Sequence, residues 1–119
     1  MKEEGTLWLV FQNVESLPKR RHGDKNRRLH EFCSEREVDV LGIVETNRCW
    51  HKLDPQDRLP DRFRGWWESL HTSVAYNRVN KDAGQFQWGG TALLSFDWAA
   101  HRVCESGRDP SDLGRWTWT

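Results

Sequence analysis

The 119-residue sequence lacks a long apolar run, a signal-like segment at its start and an excess of charge of either sign. Without about 20 consecutive apolar residues it offers no membrane-spanning helix, and without an apolar leader it offers no secretion signal. Lys plus Arg and Asp plus Glu both number 18, so no net field attracts the chain to nucleic acid or to a membrane. We therefore expect an intracellular protein, nuclear or cytoplasmic, that is not secreted and has no membrane partner.

Cysteine is also scarce, since the chain has only Cys33, Cys49 and Cys104. An odd number at wide spacing does not suggest a disulfide framework. The pairs that His30 forms with Cys33, and Cys49 with His51, match no compact zinc motif. Cys33 falls on a predicted apolar helix face, so buried free thiols are the favoured interpretation.

The sequence has no internal repeat, low-complexity tract or linker, and its length fits one domain over residues 1–119. What it has in excess is tryptophan, with eight residues. Trp8 lies in an apolar segment and is predicted to be in the core. Trp66 and Trp67 are adjacent, so in a strand they would face opposite sides. Core filling is the predicted role for most tryptophans, with base stacking as the alternative.

Two segments, residues 6–12 and 38–44, are nearly all apolar, which is typical of strands covered on both faces. Between them Asp24 is a suitable helix N-cap. Leu29, Phe32 and Cys33 then fall on one helical face. A strand–helix–strand order predicts two parallel strands joined by a right-handed crossover.

The rest of the chain predicts further strands rather than long helices. Residues 47–64 are polar, and Pro55 and Pro60 limit any helix there to short pieces. Residues 77–87 form a polar, turn-rich loop. We predict strands at residues 65–76 (with a break at 71–73), 90–96, 101–105 and 115–119.

Polar residues follow the first two apolar segments, Asn13 after the first and Glu45 after the second. The carboxyl ends of neighbouring parallel strands meet at one sheet edge, where open α/β sheets build ligand sites. A carboxylate beside an amide is a suitable nucleus for a divalent-metal phosphoesterase. Two other interpretations remain open: Asn13 caps a turn, and Glu45 is a solvated charge at a strand end.

A basic run leaves the same edge as Asn13 and is opposed only by Asp24. Phosphate contacts and a solvated loop are both consistent with it. Its members are Lys19, Arg20, Arg21, Lys25, Arg27 and Arg28.

The segments QNVESLP, DVLGIVETN, GGTALLSF and LGRWTWT, in that order, resemble the front half of the endonuclease/exonuclease/phosphatase family of deoxyribonuclease I-like enzymes. The similarity is closest to the endonuclease domains of retroelements, through RGWWESLHTSVAYN and GGTALLSF. It spans nearly all 119 residues. It implies the N-terminal part of a four-layer α/β sandwich, a partial domain whose expected partners include a missing C-terminal half or a reverse-transcriptase-type region.

The resemblance also implies roles for individual residues. Glu45 matches the family's glutamate that binds the catalytic Mg²⁺ (or Mn²⁺), and Asn13 matches an asparagine beside the metal and the phosphate. Glu15 falls where some members place an acidic residue that assists metal binding. Gly89 and Gly90 match the small residues before the central strand. Mg²⁺ prefers such hard oxygen ligands, so the residue types agree with these roles.

The implied activity is Mg²⁺-dependent hydrolysis of phosphodiesters, with DNA as the favoured substrate. The family also uses a later tyrosine, an aspartate–asparagine pair and a final aspartate–histidine pair, and this sequence has no counterpart of them. We therefore expect the chain to be inactive or nearly so by itself, as a truncated product, a retroelement remnant or half of a split assembly. The alternative is a non-catalytic module that binds nucleic acid or protein.

Overall fold

The computed structural model describes residues 2–59 and 61–119, and its fold is mixed α/β with a single α-helix among those residues. Pro60, used above to limit helices, lies outside the described residues; the neighbouring segments form only short 3₁₀ turns, at Trp50–Lys52, Pro55–Asp57 and Asp61–Phe63. The regular elements are β1 (Leu9–Asn13), α1 (Asp24–Glu35), β2 (Val40–Val44), β3 (Leu70–Ala75), β4 (Thr91–Phe96), β5 (Gly107–Arg108) and β6 (Thr117–Trp118).

The main sheet has the order β1-β2-β4-β3. β1 and β2 are parallel and joined through α1, which confirms the predicted strand–helix–strand unit. β4 runs antiparallel to both β2 and β3, so the sheet is mixed. β5 and β6 form a separate antiparallel hairpin.

The core lies on one face of this sheet. Leu41, Ile43 and Leu94 form one buried cluster with Leu29 and Cys33, from the predicted face of α1. Burial raises the pKa of the Cys33 thiol to about 11, so it stays protonated at neutral pH. The helix begins one residue earlier than predicted: Gly23 is the N-cap, and Asp24, the predicted N-cap, is the first helical residue. There the negative charge of Asp24 interacts favourably with the positive end of the helix dipole.

The opposite face of the sheet is only partly covered. On the β3 half of this face, Ser73 contacts the β5–β6 hairpin through the Gly107 carbonyl and the Thr117 hydroxyl, so the hairpin shields that half. On the β1 half of the same face, Leu9 and Phe11 remain 54% and 73% exposed. The prediction that β1 and β2 are covered on both faces is therefore wrong for β1 and for the carboxyl end of β2.

The tryptophans differ from their predicted role as core residues. Trp50 is buried, but five are exposed, namely Trp8, Trp88, Trp98, Trp116 and Trp118. Trp66 and Trp67 are half-buried in an irregular segment before β3, which starts at Leu70 instead of residue 65. Trp67 stacks on Phe96 with ring centroids 4.1 Å apart. Packing against this ring and Phe63 holds the segment out of the sheet.

Two further strand predictions were wrong. β3 runs without a break through residues 71–73, because those residues pair continuously with β4. Residues 101–105 form no strand; a 3₁₀ turn occupies Ala100–Arg102, and the pairing starts later, at β5. Nothing among residues 2–59 and 61–119 forms a helix with the length and apolarity needed to span a bilayer.

Candidate metal and nucleic-acid site

The carboxyl ends of β1 and β2 lie side by side, as the strand–helix–strand unit requires. Asn13 is in register with Val44, the residue before Glu45. The two chains stay paired past the strands, since the Ser16 amide donates to the Glu45 carbonyl at 2.8 Å and the Leu17 amide to the Thr46 carbonyl at 2.9 Å. The adjacency predicted for Asn13 and Glu45 is therefore present in the backbone.

This sheet edge concentrates unusual backbone conformations. Seven described non-glycine residues have a positive φ, and four of them are here: Glu15 (44°), Ser16 (76°), Glu45 (56°) and Asn47 (52°). Such left-handed conformations are disfavoured for residues with a Cβ and persist only where surrounding contacts fix them. Surrounding contacts therefore fix the backbone at this edge, and Glu15 and Glu45 lie at sharp turns just beyond their strands.

Asn13 stabilises the turn after β1 with its side-chain oxygen and leaves its NH₂ group unpaired among the described residues. Its Oδ1 accepts a hydrogen bond from the Glu15 amide at 2.9 Å, which makes the turn-capping interpretation correct for that atom. The side chain is exposed, and its NH₂ group has no hydrogen-bond partner among the described residues. The capping and ligand-binding interpretations are therefore compatible, because they use different atoms of one side chain.

Asn47 is the residue that sequence reasoning missed. It is 2% exposed, and its Nδ2 donates to Ser16 Oγ while its Oδ1 accepts from the Gly89 amide, both at 2.8 Å. It thereby joins the loop after β1 to the segment before β4. The available signal was an asparagine two residues after Glu45 in the motif IVETN, because asparagine adopts left-handed turn conformations more readily than most residues.

Thr91 adds an orphaned polar atom to the same edge. It opens β4 opposite Val44, and its Oγ1 is buried without a hydrogen-bond partner among the described residues. Buried hydroxyls are almost always satisfied, so an ordered water is the simplest partner for this one.

The donor set fits a weakly held Mg²⁺ better than a zinc ion. Glu15 and Glu45 are exposed carboxylates on the paired segments that follow β1 and β2. Mg²⁺ is commonly held by one or two carboxylates with waters and substrate phosphate. Residues 2–59 and 61–119 contain no group of three or more His, Cys, Asp and Glu side chains that could enclose a metal. Any ion here would therefore depend on few protein ligands.

A cleft of about 670 Å³ lies beside Asn13, between the end of β1 and the first turns of α1. It brings together four of the predicted site residues, namely Asn13, Glu15, Lys25 and Arg28, but not Glu45. Glu45 lies outside this cleft, on the paired segment after β2. Within the cleft, the acidic Glu15 and the basic Lys25 and Arg28 therefore line the same space.

Some side chains of the basic run form hydrogen bonds or ion pairs within the chain, and others have no ion-pair partner among the described residues. Lys25 Nζ donates to the carbonyl oxygens of Val14, Glu15 and Ser16 at 2.8, 3.1 and 2.9 Å, so it fixes the loop after β1. Arg27 pairs with Glu31 at 2.6 Å, and this contact raises its pKa. The exposed side chains of Lys19, Arg20 and Arg28 have no ion-pair partner within the described residues.

A buried arginine holds the basic loop in place. Arg62 is fully buried and donates to the Lys19 carbonyl at 2.9 Å, while Asn26 Nδ2 donates to the Arg20 and Arg21 carbonyls at 3.2 and 3.0 Å. Burial lowers the pKa of Arg62 to about 10, a value at which it is still charged at neutral pH. Residues 19–21 are therefore an anchored loop, with the Lys19 and Arg20 side chains facing solvent.

An aromatic surface continues from Asn47 on the other side of the edge. Trp88 is 80% exposed and meets Phe86 edge to face with centroids 5.0 Å apart. Arg48 lies 5.8 Å from the Phe86 ring, and its Nε donates to the Leu17 carbonyl at 2.7 Å. Exposed rings beside cations are typical of surfaces that stack nucleic-acid bases.

Cys49 and His51 do not form a nucleophilic pair. Cys49 Sγ is 3.6 Å from His51 Nδ1, but the thiol is fully buried, and this burial raises its pKa. A nucleophilic cysteine needs access and thiolate character, and Cys49 has neither. Cys33 is likewise buried, whereas Cys104 is exposed, so the prediction of buried thiols holds for two of the three.

The chain matches no model of a known protein family, and no curated protein is significantly similar to it.

Proposed function

We propose that the chain is the N-terminal portion of a Mg²⁺-dependent phosphodiesterase of the endonuclease type, a four-layer α/β sandwich in its complete form. The observation that carries the proposal is the register of β1 and β2, which brings Asn13, Glu15 and Glu45 to one sheet edge. The resemblance to the endonuclease/exonuclease/phosphatase family assigns the same three residues to the metal and phosphate.

Each residue has a definite task in this proposal. Glu45, assisted by Glu15, would hold the Mg²⁺ (or Mn²⁺), which when bound polarises the phosphoryl oxygen and stabilises the leaving oxygen. The free NH₂ group of Asn13 donates a hydrogen bond to a phosphate oxygen. Lys19, Arg20 and Arg28 position the nucleic-acid backbone, and DNA remains the favoured substrate.

The chain alone binds but does not turn over at a useful rate. A general base that activates water contributes about 10²–10⁴-fold to such a reaction, and the sequence has no counterpart of the family's base. We therefore expect the purified chain not to nick plasmid DNA with Mg²⁺. Robust cleavage that disappears in Glu45→Gln would show that the chain is a complete enzyme.

The binding half of the proposal is tested by fluorescence anisotropy on a labelled oligonucleotide at several salt concentrations. Replacing Lys19, Arg20 and Arg28 together by Ser should weaken binding and reduce the slope of log K against log[salt] by about 2–3. The matched control removes three charges elsewhere, through Arg36→Ser, Arg102→Ser and Arg115→Ser. Equal losses in the two triple variants would contradict a localised interface.

A second candidate, a non-catalytic nucleic-acid-binding module, is favoured by Phe86 and Trp88. Trp88→Ala should weaken single-stranded DNA binding about 10-fold, which follows from ~1–3 kcal/mol per stacked base. If this loss occurs while Glu45→Gln leaves Mn²⁺ affinity unchanged, the chain is this binding module and the metal role is wrong.

A further inference from the structure

The aromatic surface formed by Phe86 and Trp88 is held in place by the residue between them. Side chains alternate along this segment: Phe86 and Trp88 are 44% and 80% exposed, whereas Gln87 is buried. The Gln87 side chain donates to the Asn77 carbonyl at 2.7 Å, and its backbone amide donates to the Asn47 carbonyl at 3.2 Å. The two rings therefore face solvent from an anchored backbone.

Asn47 fixes the other side of Trp88 as well. Its Oδ1 accepts from the Gly89 amide, and its own amide donates to the Gly89 carbonyl, both at 2.8 Å. Trp88 thus lies between two residues that are hydrogen-bonded to Asn47, so its backbone is fixed while its ring stays exposed. A group that is ordered before binding loses less conformational entropy when a ligand contacts it.

The segments around the aromatic surface are basic. Residues 47–52 and 77–88 include four Arg or Lys residues and a single acidic residue, Asp82. The four cations, none of which has an ion-pair partner within the described part of the chain, are Arg48, Lys52, Arg78 and Lys81. A nucleic acid combines a polyanionic backbone with flat rings, so it matches both the charge and the aromatic side chains.

Base pairing decides which nucleic acid can use such a surface. In a duplex each base is stacked inside the helix, where a ring on the protein surface does not reach its face. In a single strand the faces of the bases are open, and aromatic side chains stack on them with little dependence on sequence. The exposed ring of Trp88 therefore indicates unpaired bases.

The aromatic surface lies close to the candidate metal edge along the backbone. The Gly90 carbonyl accepts from the Thr46 amide at 3.3 Å, and Thr46 directly follows Glu45. Trp88 precedes Gly90 by two residues, which is about 7 Å of extended chain. A strand whose phosphate lies at Glu45 therefore reaches Trp88 within a few nucleotides, at ~3.4 Å each.

We propose that the aromatic surface stacks unpaired bases, so that the DNA bound by this chain is single-stranded beside the candidate metal edge. Trp88 stacks on a base, Phe86 supports the Trp88 ring edge to face, and the exposed Lys52 and Lys81 contact phosphates. This role rests on the proposed function for the position of the phosphate at Glu45, whereas the stacking itself needs no metal.

Fluorescence anisotropy without metal tests the proposal, on a labelled single-stranded DNA of about 12 nucleotides and on its duplex. Trp88→Ala should weaken binding of the single strand about 10-fold, or ~1.4 kcal/mol, and binding of the duplex less than about 2-fold. Trp88→Phe should retain most of the single-strand affinity, because phenylalanine also stacks. The matched control is Trp116→Ala, which removes a 47% exposed tryptophan outside the aromatic surface and should change neither affinity.

A 2-aminopurine base flanked by thymines in the middle of the single strand reports stacking directly, because its fluorescence is quenched when it stacks. Binding of the wild type should quench this fluorescence, and binding of Trp88→Ala at saturating protein should not. Thermal unfolding verifies that each variant is folded, which the exposure of Trp88 favours.

Three results would overturn the proposal: equal losses for single strand and duplex in Trp88→Ala, an equal loss in Trp116→Ala, or quenching that Trp88→Ala leaves unchanged. If the triple Ser variant of the basic run still weakens DNA binding in any of these cases, the proposed function stands without the stacking role. If the wild type binds neither DNA, both are wrong. If Trp88→Ala acts as expected but Glu45→Gln leaves Mn²⁺ affinity unchanged, the stacking role stands and the metal role is wrong.

Discussion

At the scale of single residues, the candidate site depends on a side chain that does no chemistry. Asn47 is buried, adopts a positive φ and joins three segments through its amide. Without it, the turns that present Glu15 and Glu45 would lose their common anchor. Its importance follows from position and not from reactivity.

We predict that Asn47→Ala lowers the free energy of unfolding by about 2–4 kcal/mol. The Ser16 hydroxyl and the Gly89 amide would each lose a partly buried hydrogen bond, at ~0.5–1.5 kcal/mol per bond, and alanine is strained at this φ by ~1–2 kcal/mol. Urea denaturation provides the measurement. Asn47→Gly separates the two causes, because glycine loses the same hydrogen bonds as alanine but is not strained at this φ. A loss below 1 kcal/mol for both variants would contradict the anchoring role.

Asp39 is a second buried residue with a clear energetic role. Its carboxylate accepts hydrogen bonds from Lys2 Nζ at 2.7 Å, Trp98 Nε1 at 2.7 Å and the Trp8 amide at 2.8 Å. Burial acts to raise its pKa, but the hydrogen bonds and the Lys2 charge outweigh burial and hold the pKa below the ordinary value. The group therefore ties the start of β2 to the N-terminal segment and to Trp98.

The depressed pKa fixes the sign of the pH dependence. Asp39 stabilises the fold above its unfolded pKa of ~3.9, and this contribution is lost as pH falls through the lower folded pKa. Relative to Asp39→Asn, the wild type should be more stable by about 2 kcal/mol at pH 7. The difference should shrink below pH ~4. Urea midpoints for both proteins at pH 7, 5 and 3 test this; a constant difference would contradict it.

At the scale of elements, local patterns predicted β1, β2 and β4 to within three residues at each end, and the start of α1 to within one. Apolar runs and one helical face were sufficient there, because the side chains that form these patterns pack together in the core. They failed for residues 65–69, where Trp66 and Trp67 have strand-like composition but pack against Phe63 and Phe96 from a loop. Tertiary stacking overrides local propensity in that segment.

The entry into β4 depends on two glycines that the sequence placed correctly. Gly89 and Gly90 have φ values of 88° and 89°, which residues with a Cβ rarely adopt. A Cβ at Gly90 would also collide with Thr46 Oγ1, which is buried beside the candidate site. The segment before β4 therefore has no room for a side chain at this position.

We expect Gly90→Ala to lower the free energy of unfolding by at least about 2 kcal/mol, from strain and from the collision. Gly84→Ala is the matched control, since nothing lies within 4 Å of its added Cβ. It should change stability by less than about 0.5 kcal/mol. Chemical denaturation of both variants measures the contrast, and equal effects would show that the glycine segment is not constrained.

At the scale of the whole molecule, the sequence predicted where the site lies better than which residues are free to act there. The carboxyl edge of β1 and β2 followed from strand order alone. The engagement of Lys25 did not, because its partners are carbonyl oxygens that only the folded loop brings together. The exposure of Leu9 and Phe11 was also unpredictable, since apolar strands give no information about which part of the sheet the β5–β6 hairpin covers.

The central claim is that the edge formed by Asn13, Glu15 and Glu45 is a weak divalent-metal site. The most direct measurement is paramagnetic line broadening by Mn²⁺ in amide NMR spectra of the wild type and Glu45→Gln, with Glu68→Gln, another exposed carboxylate, as control. We predict selective broadening at residues 13–16, 45–47 and 89–91 in the wild type and in Glu68→Gln. In Glu45→Gln this broadening should be lost. Broadening centred elsewhere, or unchanged in Glu45→Gln, would contradict it.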